Sequence, residues 1–326
     1  MGTVQTILKG GKAMKTVWRL NIKTGAHEGV DPRKFCIDKN ILGIGWPLDT
    51  IDVIPNWENY SRLAKELYKD DNGWWPAVNA LKNRMQVDDL CWTRTMDGIY
   101  YLGRISGDWE YKSEPEYKNA DIVNIRKCDW FPVGAVDAVP GKVINSFIPR
   151  RTVQEVQDPS TSLYSQYLYN KLSKKDFYKL KEISKEISLD IFSLISAEDC
   201  EDLVGLYLQE LKGYRIIPSS CKISTAAYEF VLKQSNSGKK AVAQVKQGYI
   251  NLNLNDYSAI KDCDIYLFTT KGEYIGSSNP KVHCIDPGEI RKFANERRSI
   301  LSDRLIKWLE LMDEIEQTLT NKESKN

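Results

Sequence analysis

Hydrophobic and polar side chains alternate along several short segments of the first half of the chain. Residues 16–22 place three large apolar side chains on one side, which is the two-residue period of a half-buried strand. Two β-rich runs, 90–94 and 99–105, flank Asp97-Gly98, and an Asp-Gly pair between such runs indicates a hairpin. The pattern predicts a mixed, mainly β barrel with short helices over residues 1–150. The predicted helices are at 57–67 and 76–85.

The pattern becomes helical after a stretch rich in Pro, Arg, Ser and Thr at 149–162, which we interpret as a domain boundary. Residues 197–211 have apolar side chains at spacings of three and four, and Gly213 is a typical helix end. A last helical region at 288–318 has an apolar stripe of the kind that packs onto the protein body or onto a partner. The other predicted elements are a helix at 176–187 and strands at 214–217, 228–232, 241–245 and 265–270.

Length and composition fit two folded domains. The chain has 326 residues, of which 42% are hydrophobic and 28% charged, so each domain can bury a core. The pattern places an N-terminal α+β domain at 1–150, a linker with helices at 151–196, an α/β core at 197–285 and a helical extension at 286–326. Lys and Arg number 46 against 44 Asp and Glu, for a formal charge of +2. Nucleic-acid binding would therefore have to come from local patches.

Residue usage argues against several kinds of site. The seven cysteines lie far apart and there are only two histidines, whereas a zinc site needs close pairs and a disulfide framework an even number. No apolar run approaches the roughly 18 residues that span a bilayer, and residues 1–15 lack the apolar stretch of a secretory signal. We therefore expect a soluble, cytoplasmic protein whose chemistry, if any, uses carboxylates, lysine and a metal ion.

The stretch from 201 to 246 has the residues for such chemistry. Gln244 and Lys246 are two apart on a predicted strand, so their side chains point to the same face. Glu229, on the neighbouring predicted strand, can add a carboxylate, and Glu201 lies on the preceding predicted helix. Carboxylate and amide oxygens suit Mg²⁺, and a nearby lysine can orient the attacking water and offset developing charge. Taken singly, each of these side chains could equally be an exposed polar residue.

The order of these motifs resembles that of Mrr-type restriction endonucleases, a branch of the PD-(D/E)xK nuclease superfamily. Residues 200–208 and Gly213-Tyr214-Arg215-Ile216 are similar to its opening helix and first strand, and residues 242–246 to its Gln-x-Lys strand. The resemblance covers residues 197–270. It implies Mg²⁺ or Mn²⁺ as cofactor. The catalytic residues that it implies are Glu201, Glu229, Gln244 and Lys246, with Glu229 and Gln244 as the metal ligands and Glu229 in place of the usual Asp.

Eight of the nine tryptophans lie in the first 130 residues. Residues 43–47, Trp74-Trp75 and residues 87–92 resemble elements of the PUA-like superfamily, including its EVE and YTH branches. The resemblance implies a barrel that holds a modified base between aromatic rings. The candidate base-binding residues are Trp46, Trp74, Trp75 and Trp92, and the candidate phosphate-binding residues are Arg19, Lys82, Arg84, Arg94 and Arg104. Each tryptophan could instead pack in the barrel core.

Together these features suggest a modification-dependent, type IV-like restriction endonuclease active in phage defence. Its first domain would recognise a modified base, most simply a modified cytosine, in foreign DNA, and its second would hydrolyse the backbone with Mg²⁺. Cutting both strands needs two active sites, so we expect a homodimer, formed through residues 300–312. The alternatives are a non-catalytic sensor of modified nucleic acid, a subunit of an anti-phage defence complex, and a nuclease whose barrel recognises RNA or senses a small nucleotide.

Overall fold

A computed structural model describes residues 15–22, 25–48, 56–184, 189–222, 228–260, 262–277 and 279–320. The chain divides between Leu189 and Asp190 into two compact units. Both contain helices and strands, so the fold is of the mixed α/β class. In the described part of the chain, no helix is long and apolar enough to cross a membrane.

The first unit is built on one six-stranded mixed sheet with the order β2-β5-β4-β3-β1-β6. β1 runs parallel to β3, and the other neighbouring strands are antiparallel. The expected hairpin is present, because Arg94 pairs with Tyr100 across the turn that contains Asp97 and Gly98. The strands are Val17–Leu20 (β1), Ile41–Ile44 (β2), Leu90–Arg94 (β3), Tyr100–Tyr111 (β4), Asn124–Gly134 (β5) and Val153–Glu155 (β6).

The expected barrel is not closed in the described residues. β2 and β6 lie at opposite ends of the strand order, and each is paired with one neighbour. The sheet is therefore open. The sequence pattern predicted strands correctly here, but alternation within a strand does not specify whether the two edge strands meet.

Seven helices belong to the described part of the first unit. Three of them begin at a side-chain cap: Asp31, Asn56 and Asp158 each accept hydrogen bonds from backbone N–H groups of the first turn. The helix predicted at 76–85 is α3 followed by a π-helical turn at Ala80–Arg84. The helices are Pro32–Asp38 (α1), Trp57–Leu67 (α2), Trp74–Asn79 (α3), Pro115–Asn119 (α4), Gly141–Ser146 (α5), Pro159–Ser173 (α6) and Leu180–Ser184 (α7).

The stretch at 149–162, interpreted as a domain boundary, lies inside the first unit. β6 pairs with β1 through Trp18 and Glu155, and the Trp92 indole donates a hydrogen bond to Ser165 of α6 at 3.0 Å. These contacts join residues far apart in sequence, so local composition did not indicate them. Of the helix predicted at 176–187, residues 185–187 lie outside the described part.

The second unit contains a five-stranded sheet with the order β13-β11-β9-β8-β7. β7, β8 and β9 are antiparallel, whereas β9, β11 and β13 are parallel. β10 and β12 form a separate two-stranded ladder. The strands are Tyr214–Ile216 (β7), Phe230–Gln234 (β8), Lys240–Lys246 (β9), Leu252–Asn253 (β10), Asp264–Thr269 (β11), Tyr274–Ile275 (β12) and Val282–Cys284 (β13), and the helices are Ile191–Leu194 (α8), Ala197–Lys212 (α9), Pro287–Glu296 (α10) and Asp303–Thr320 (α11).

The helical region predicted at 288–318 is the two helices α10 and α11. Its apolar stripe is already covered, because Leu301, Leu305, Trp308 and Leu309 are all buried. These side chains are therefore not available as the dimer-forming face that the sequence suggested for residues 300–312. Ile300, at the start of the same stretch, is 37% exposed.

Candidate functional site

The helix α9 is fixed at its start by a capping box. The Ser196 hydroxyl accepts a hydrogen bond from the Asp199 N–H, and the Asp199 carboxylate accepts one from the Ser196 N–H. The same carboxylate, 2% exposed, is paired with Arg304, whose Nε lies 2.7 Å away. These contacts set the position of the first turns of α9, where Glu201 lies.

The strand β9 positions Gln244 and Lys246. It lies between β8 and β11, so most of its side chains are buried. Gln244 and Lys246 are two residues apart and share a face. Gln244 is 1% exposed although it is polar, and burying an amide is unfavourable unless its hydrogen-bonding groups find partners.

Glu229 was predicted to lie within a strand at 228–232. The observed strand β8 begins at Phe230, so Glu229 directly precedes it. Its backbone N–H donates to the carbonyl of Ala243 at 2.8 Å, which holds it against β9. Its Oε1 accepts hydrogen bonds from Gln244 Nε2 at 2.5 Å and from Lys246 Nζ at 2.8 Å. The structure thus brings together three of the four predicted catalytic residues in direct contact.

Glu201 is close enough to this group to be affected by its charge. Its pKa is raised to about 7, first because the carboxyl is partly buried and second because the negative charges of Glu229 and Glu198 oppose its ionisation. A carboxyl with a pKa near 7 can exchange a proton at neutral pH.

The Glu229, Gln244 and Lys246 group has an unused acceptor. Gln244 Oε1 is buried and has no hydrogen-bond partner, which is a rare and costly condition for a buried polar atom. An amide oxygen beside a carboxylate is a suitable pair of ligands for Mg²⁺, so Glu229 and Gln244 fit the role of metal ligands. Nowhere in the described ranges do three His, Cys, Asp or Glu side chains form a metal-binding group.

Trp46 lines a cavity of about 290 Å³ in the first unit. Its indole N–H donates to the Asp71 carboxylate at 2.8 Å. Asp121 also lines the cavity, and burial raises the pKa of its carboxyl. Gly45 allows this carboxylate to approach the backbone, since a Cβ there would lie 2.5 Å from Asp121 Oδ1. The cavity therefore combines an aromatic ring with carboxylate acceptors.

The four tryptophans predicted to bind a base do not form one cage. Trp92 is fully buried, with its indole N–H on Ser165. Trp74 is 6% exposed and Trp75 46% exposed, and both line a second cavity that Trp46 does not line. Of the four, only Trp46 lines the cavity that also has carboxylate acceptors. Trp92 packs in the core, which is the other outcome that the sequence allowed.

Of the five predicted phosphate-binding cations, Arg19 does not face solvent. It is fully buried, and its guanidinium donates to the carbonyl of Arg151 and to the side chain of Gln154. A fully buried cation whose terminal guanidinium nitrogens donate to its own chain cannot contact a phosphate. Arg19 thus holds β1 to the segment that contains β6.

The other four cations are at least partly exposed but have partners in the first unit. Arg104 is ion-paired with both Asp88 and Asp129, and Arg84 with Glu155. Lys82 lies 5.5 Å from the ring centre of Trp109, and Arg94 4.8 Å from that of Phe147. These contacts leave Arg84 and Lys82 more accessible to a phosphate than Arg104, whose side chain is 14% exposed.

The sequence pattern did not predict Asp71 and Asp121, which line the cavity beside Trp46. Asp121 is far from Trp46 in sequence, and no local pattern connects them. It also missed three cations of α2 and its C-terminal end, Arg62, Lys65 and Lys69. Arg62 and Lys65 are three residues apart on the helix predicted at 57–67, so they share a face that was visible in the sequence, whereas Lys69 lies beyond the end of that helix.

Comparison with known proteins identifies one region of similarity. A family described as "Domain of unknown function (DUF8426)" matches residues 18–156, less than half of the chain. The matched range runs from β1 to the residue after β6 and includes the cavity beside Trp46. No curated protein and no solved structure matches the chain.

Proposed function

We propose that the protein is a modification-dependent endonuclease whose second unit hydrolyses the DNA backbone with Mg²⁺. The observation that supports this most directly is the contact of Glu229 with both Gln244 and Lys246, next to the buried and unpartnered Gln244 Oε1. A structural ion pair alone would not need an amide oxygen left without a partner in a buried strand.

In this proposal Glu229 and Gln244 hold the metal ion. When bound, Mg²⁺ polarises the scissile phosphate and lowers the pKa of the attacking water. Lys246 Nζ, which donates to Glu229, orients the water and offsets negative charge that develops on the phosphate. The Glu201 carboxylate accepts a proton, a role that its pKa of about 7 suits.

The topology of the second unit supports the same proposal. The helix α9 is followed by the antiparallel strands β7, β8 and β9, and then by β11 parallel to β9. The candidate residues come from the helix, from the start of β8 and from β9, as the resemblance to Mrr-type nucleases implies. The resemblance and the geometry therefore point to the same residues.

For the first unit we propose that a modified base enters the cavity beside Trp46. An aromatic ring can stack on any base, and the Asp71 and Asp121 carboxylates accept hydrogen bonds from N–H groups, such as the exocyclic amine of a cytosine. The proposed pocket therefore consists of one tryptophan with two acids, in place of the four-tryptophan cage expected from the sequence.

Cleavage of matched DNA duplexes tests the proposal. The substrates are unmodified, 5-methylcytosine and 5-hydroxymethylcytosine forms of one sequence, each with Mg²⁺, Mn²⁺ or EDTA. We expect metal-dependent cutting of one modified form, and loss of that preference in Trp46→Ala with cutting retained. Equal cutting of all three forms would remove the base-recognition half of the proposal. A wild-type protein that binds modified DNA but cuts none of the forms would contradict the nuclease half.

The second candidate is a non-catalytic sensor of modified nucleic acid. It is favoured by the finding that no three His, Cys, Asp or Glu side chains of the described residues form a metal-binding group, and by Glu229 in place of the usual Asp. In a sensor, binding of a modified duplex would not change with the metal ion. A sensor would also show no metal-dependent cleavage for Lys246→Ala to abolish, which separates it from the nuclease. Two active sites would be needed to cut both strands, so a homodimer remains part of the nuclease proposal.

A further inference from the structure

A second cavity in the first unit, of about 660 Å³, opens beside α2 and α3. It is larger than the cavity beside Trp46 and is not explained by base recognition there. We call it the α2–α3 groove. Its lining residues are Ser61, Arg62, Lys65, Lys69, Trp74 and Trp75.

The groove has three positive charges and no acid among its lining residues. Arg62, Lys65 and Lys69 are all exposed, and none has a hydrogen bond, ion pair or ring contact with another described residue. This distinguishes them from Arg84 and Arg104, which are ion-paired. Arg62 and Lys65 lie one turn apart on α2, and Lys69, two residues after the helix ends, lines the same groove, so the three charges add at one surface.

An exposed aromatic ring lies beside these cations. Trp75 is 46% exposed. Trp57 stacks beside it, with ring centres 6.4 Å apart, and Trp74 meets it edge-on at 5.4 Å. Trp57 in turn packs edge-on against Trp109 at 5.3 Å. Trp75 is therefore held in place by other rings while nearly half of its own surface faces solvent, which is the arrangement of a stacking platform.

We propose that the α2–α3 groove binds a nucleic-acid strand, with its phosphates on Arg62, Lys65 and Lys69 and one base stacked on Trp75. The spacing fits this ligand. Arg62 and Lys65 lie about 4.5 Å apart along α2, Lys69 follows just beyond the end of the helix, and one strand has a phosphate about every 3.4 Å along a duplex axis. An acidic peptide would match the charges but would have no flat group to stack on Trp75.

The groove lies next to the cavity beside Trp46. Tyr68 lines that cavity, and Lys69, the next residue, lines the groove. A strand bound in the groove would therefore pass close to the proposed base pocket, so that its phosphates hold the strand while one base is recognised. The groove proposal extends the proposed function, but it concerns binding alone and does not depend on catalysis in the second unit.

The experiment measures binding of fluorescein-labelled single-stranded DNA to the full-length protein in EDTA, at several salt concentrations. The test variant is R62A/K65A/K69A. The control variant, K34A/K127A/K179A, removes the same charge from exposed lysines elsewhere in the first unit. We expect the slope of log K against log salt to become shallower by about 2 in the test variant, because each phosphate contact on a single strand contributes about 0.7. The control should keep the wild-type slope.

The stacking contact has its own variant pair. Trp75→Ala should weaken strand binding by about 5- to 150-fold, and Trp75→Phe should restore most of it, because base stacking needs an aromatic ring at that position. A circular dichroism spectrum that matches the wild type shows that each variant is folded.

Three results would overturn the groove proposal. One is an equal change of slope in the test and control triple variants, and another is unchanged binding in Trp75→Ala. Either could occur while modified DNA is still cut, which would leave the proposed function intact. The third is a wild-type protein that binds neither DNA nor RNA, which would overturn both proposals.

Discussion

At the residue scale, the buried amide of Gln244 is the clearest departure from ordinary packing. Its nitrogen has a partner in Glu229, while its oxygen has none. A buried acceptor without a partner costs about 1–3 kcal/mol of stability. An apolar side chain of the same size would pack there without that cost. A functional role would explain why a glutamine occupies this position in the middle of a sheet.

Gln244→Met should therefore abolish cleavage without lowering the stability of the protein. We expect the free energy of unfolding to stay level or rise by about 1 kcal/mol, because the unpartnered oxygen is removed and the volume is kept. Cleavage should be lost, since one metal ligand is gone. Urea unfolding and a cleavage assay measure the two effects. A less stable variant that still cuts DNA would show that Gln244 is a structural residue.

Glu201 predicts a pH dependence of stability in the metal-free protein. Its pKa in the folded state, about 7, is above the ordinary value of 4.5, so the folded state favours the protonated form. Its contribution to stability is complete below about pH 4.5 and is lost as the pH rises through about 7. Wild type should therefore lose stability relative to Glu201→Gln over this range.

Thermal unfolding in EDTA at a series of pH values gives the comparison for Glu201. The difference in melting temperature between wild type and Glu201→Gln should grow from acidic to neutral pH and then level off. A constant difference would mean that burial and the nearby negative charges do not raise the pKa of Glu201 in the folded protein.

At the element scale, Asp89 joins the two parallel strands β1 and β3. It is 3% exposed, and its carboxylate accepts hydrogen bonds from the Trp18 indole at 2.9 Å and from the N–H groups of Thr16 and Gln86. Burial raises the pKa of Asp89, and these donors act against that rise. The carboxylate thus ties the start of β3 to β1, and both strands belong to the sheet that supports the Trp46 cavity.

Asp89→Ala should lower the free energy of unfolding of the first unit by about 3 kcal/mol, because it leaves buried donors without an acceptor. Unfolding in urea followed by tryptophan fluorescence reports mainly on this unit, which has eight of the nine tryptophans. Asp70→Ala is the control, since Asp70 is exposed and has no partner among the described residues. Equal stability of the two variants would contradict this role.

The elements that the sequence predicted best are those with a strong local signal. The helix predicted at 197–211 is Ala197–Lys212, and the strand predicted at 241–245 is Lys240–Lys246. The boundary at 149–162 and the barrel depended instead on strand pairing between distant residues, such as Trp18 with Glu155. Local composition contains no information about such pairs. Neither the position of the domain boundary nor the closure of a barrel could therefore be predicted from it.

In the candidate site, too, residues with a local sequence signal were predicted better than residues that are distant in sequence. Glu229, Gln244 and Lys246 were predicted from spacing and order, and they are in contact. The pocket beside Trp46 was predicted only in part, because its two acids come from distant parts of the sequence. For Trp92 the sequence left open whether the ring is buried or binds a base, and the burial of Arg19 was not predicted. Residue type alone does not distinguish a buried tryptophan or arginine from an exposed one.

At the scale of the whole molecule, the chain combines two units with different candidate tasks. The family match covers residues 18–156 and so includes the Trp46 cavity and the α2–α3 groove, but not Glu229, Gln244 or Lys246. The proposed function places recognition in the first unit and cleavage in the second. It predicts that a substitution at Lys246 abolishes cleavage without changing the affinity for modified DNA.

The measurement that tests this most directly is the single-turnover rate of Mg²⁺-dependent cleavage of a modified duplex by wild type, Lys246→Ala and Lys240→Ala. Lys240 is an exposed lysine at the other end of β9 and controls for loss of one positive charge. We predict that Lys246→Ala cuts at least about 100-fold more slowly with unchanged DNA affinity, while Lys240→Ala stays within about twofold of wild type. Equal rates for Lys246→Ala and wild type would contradict the account.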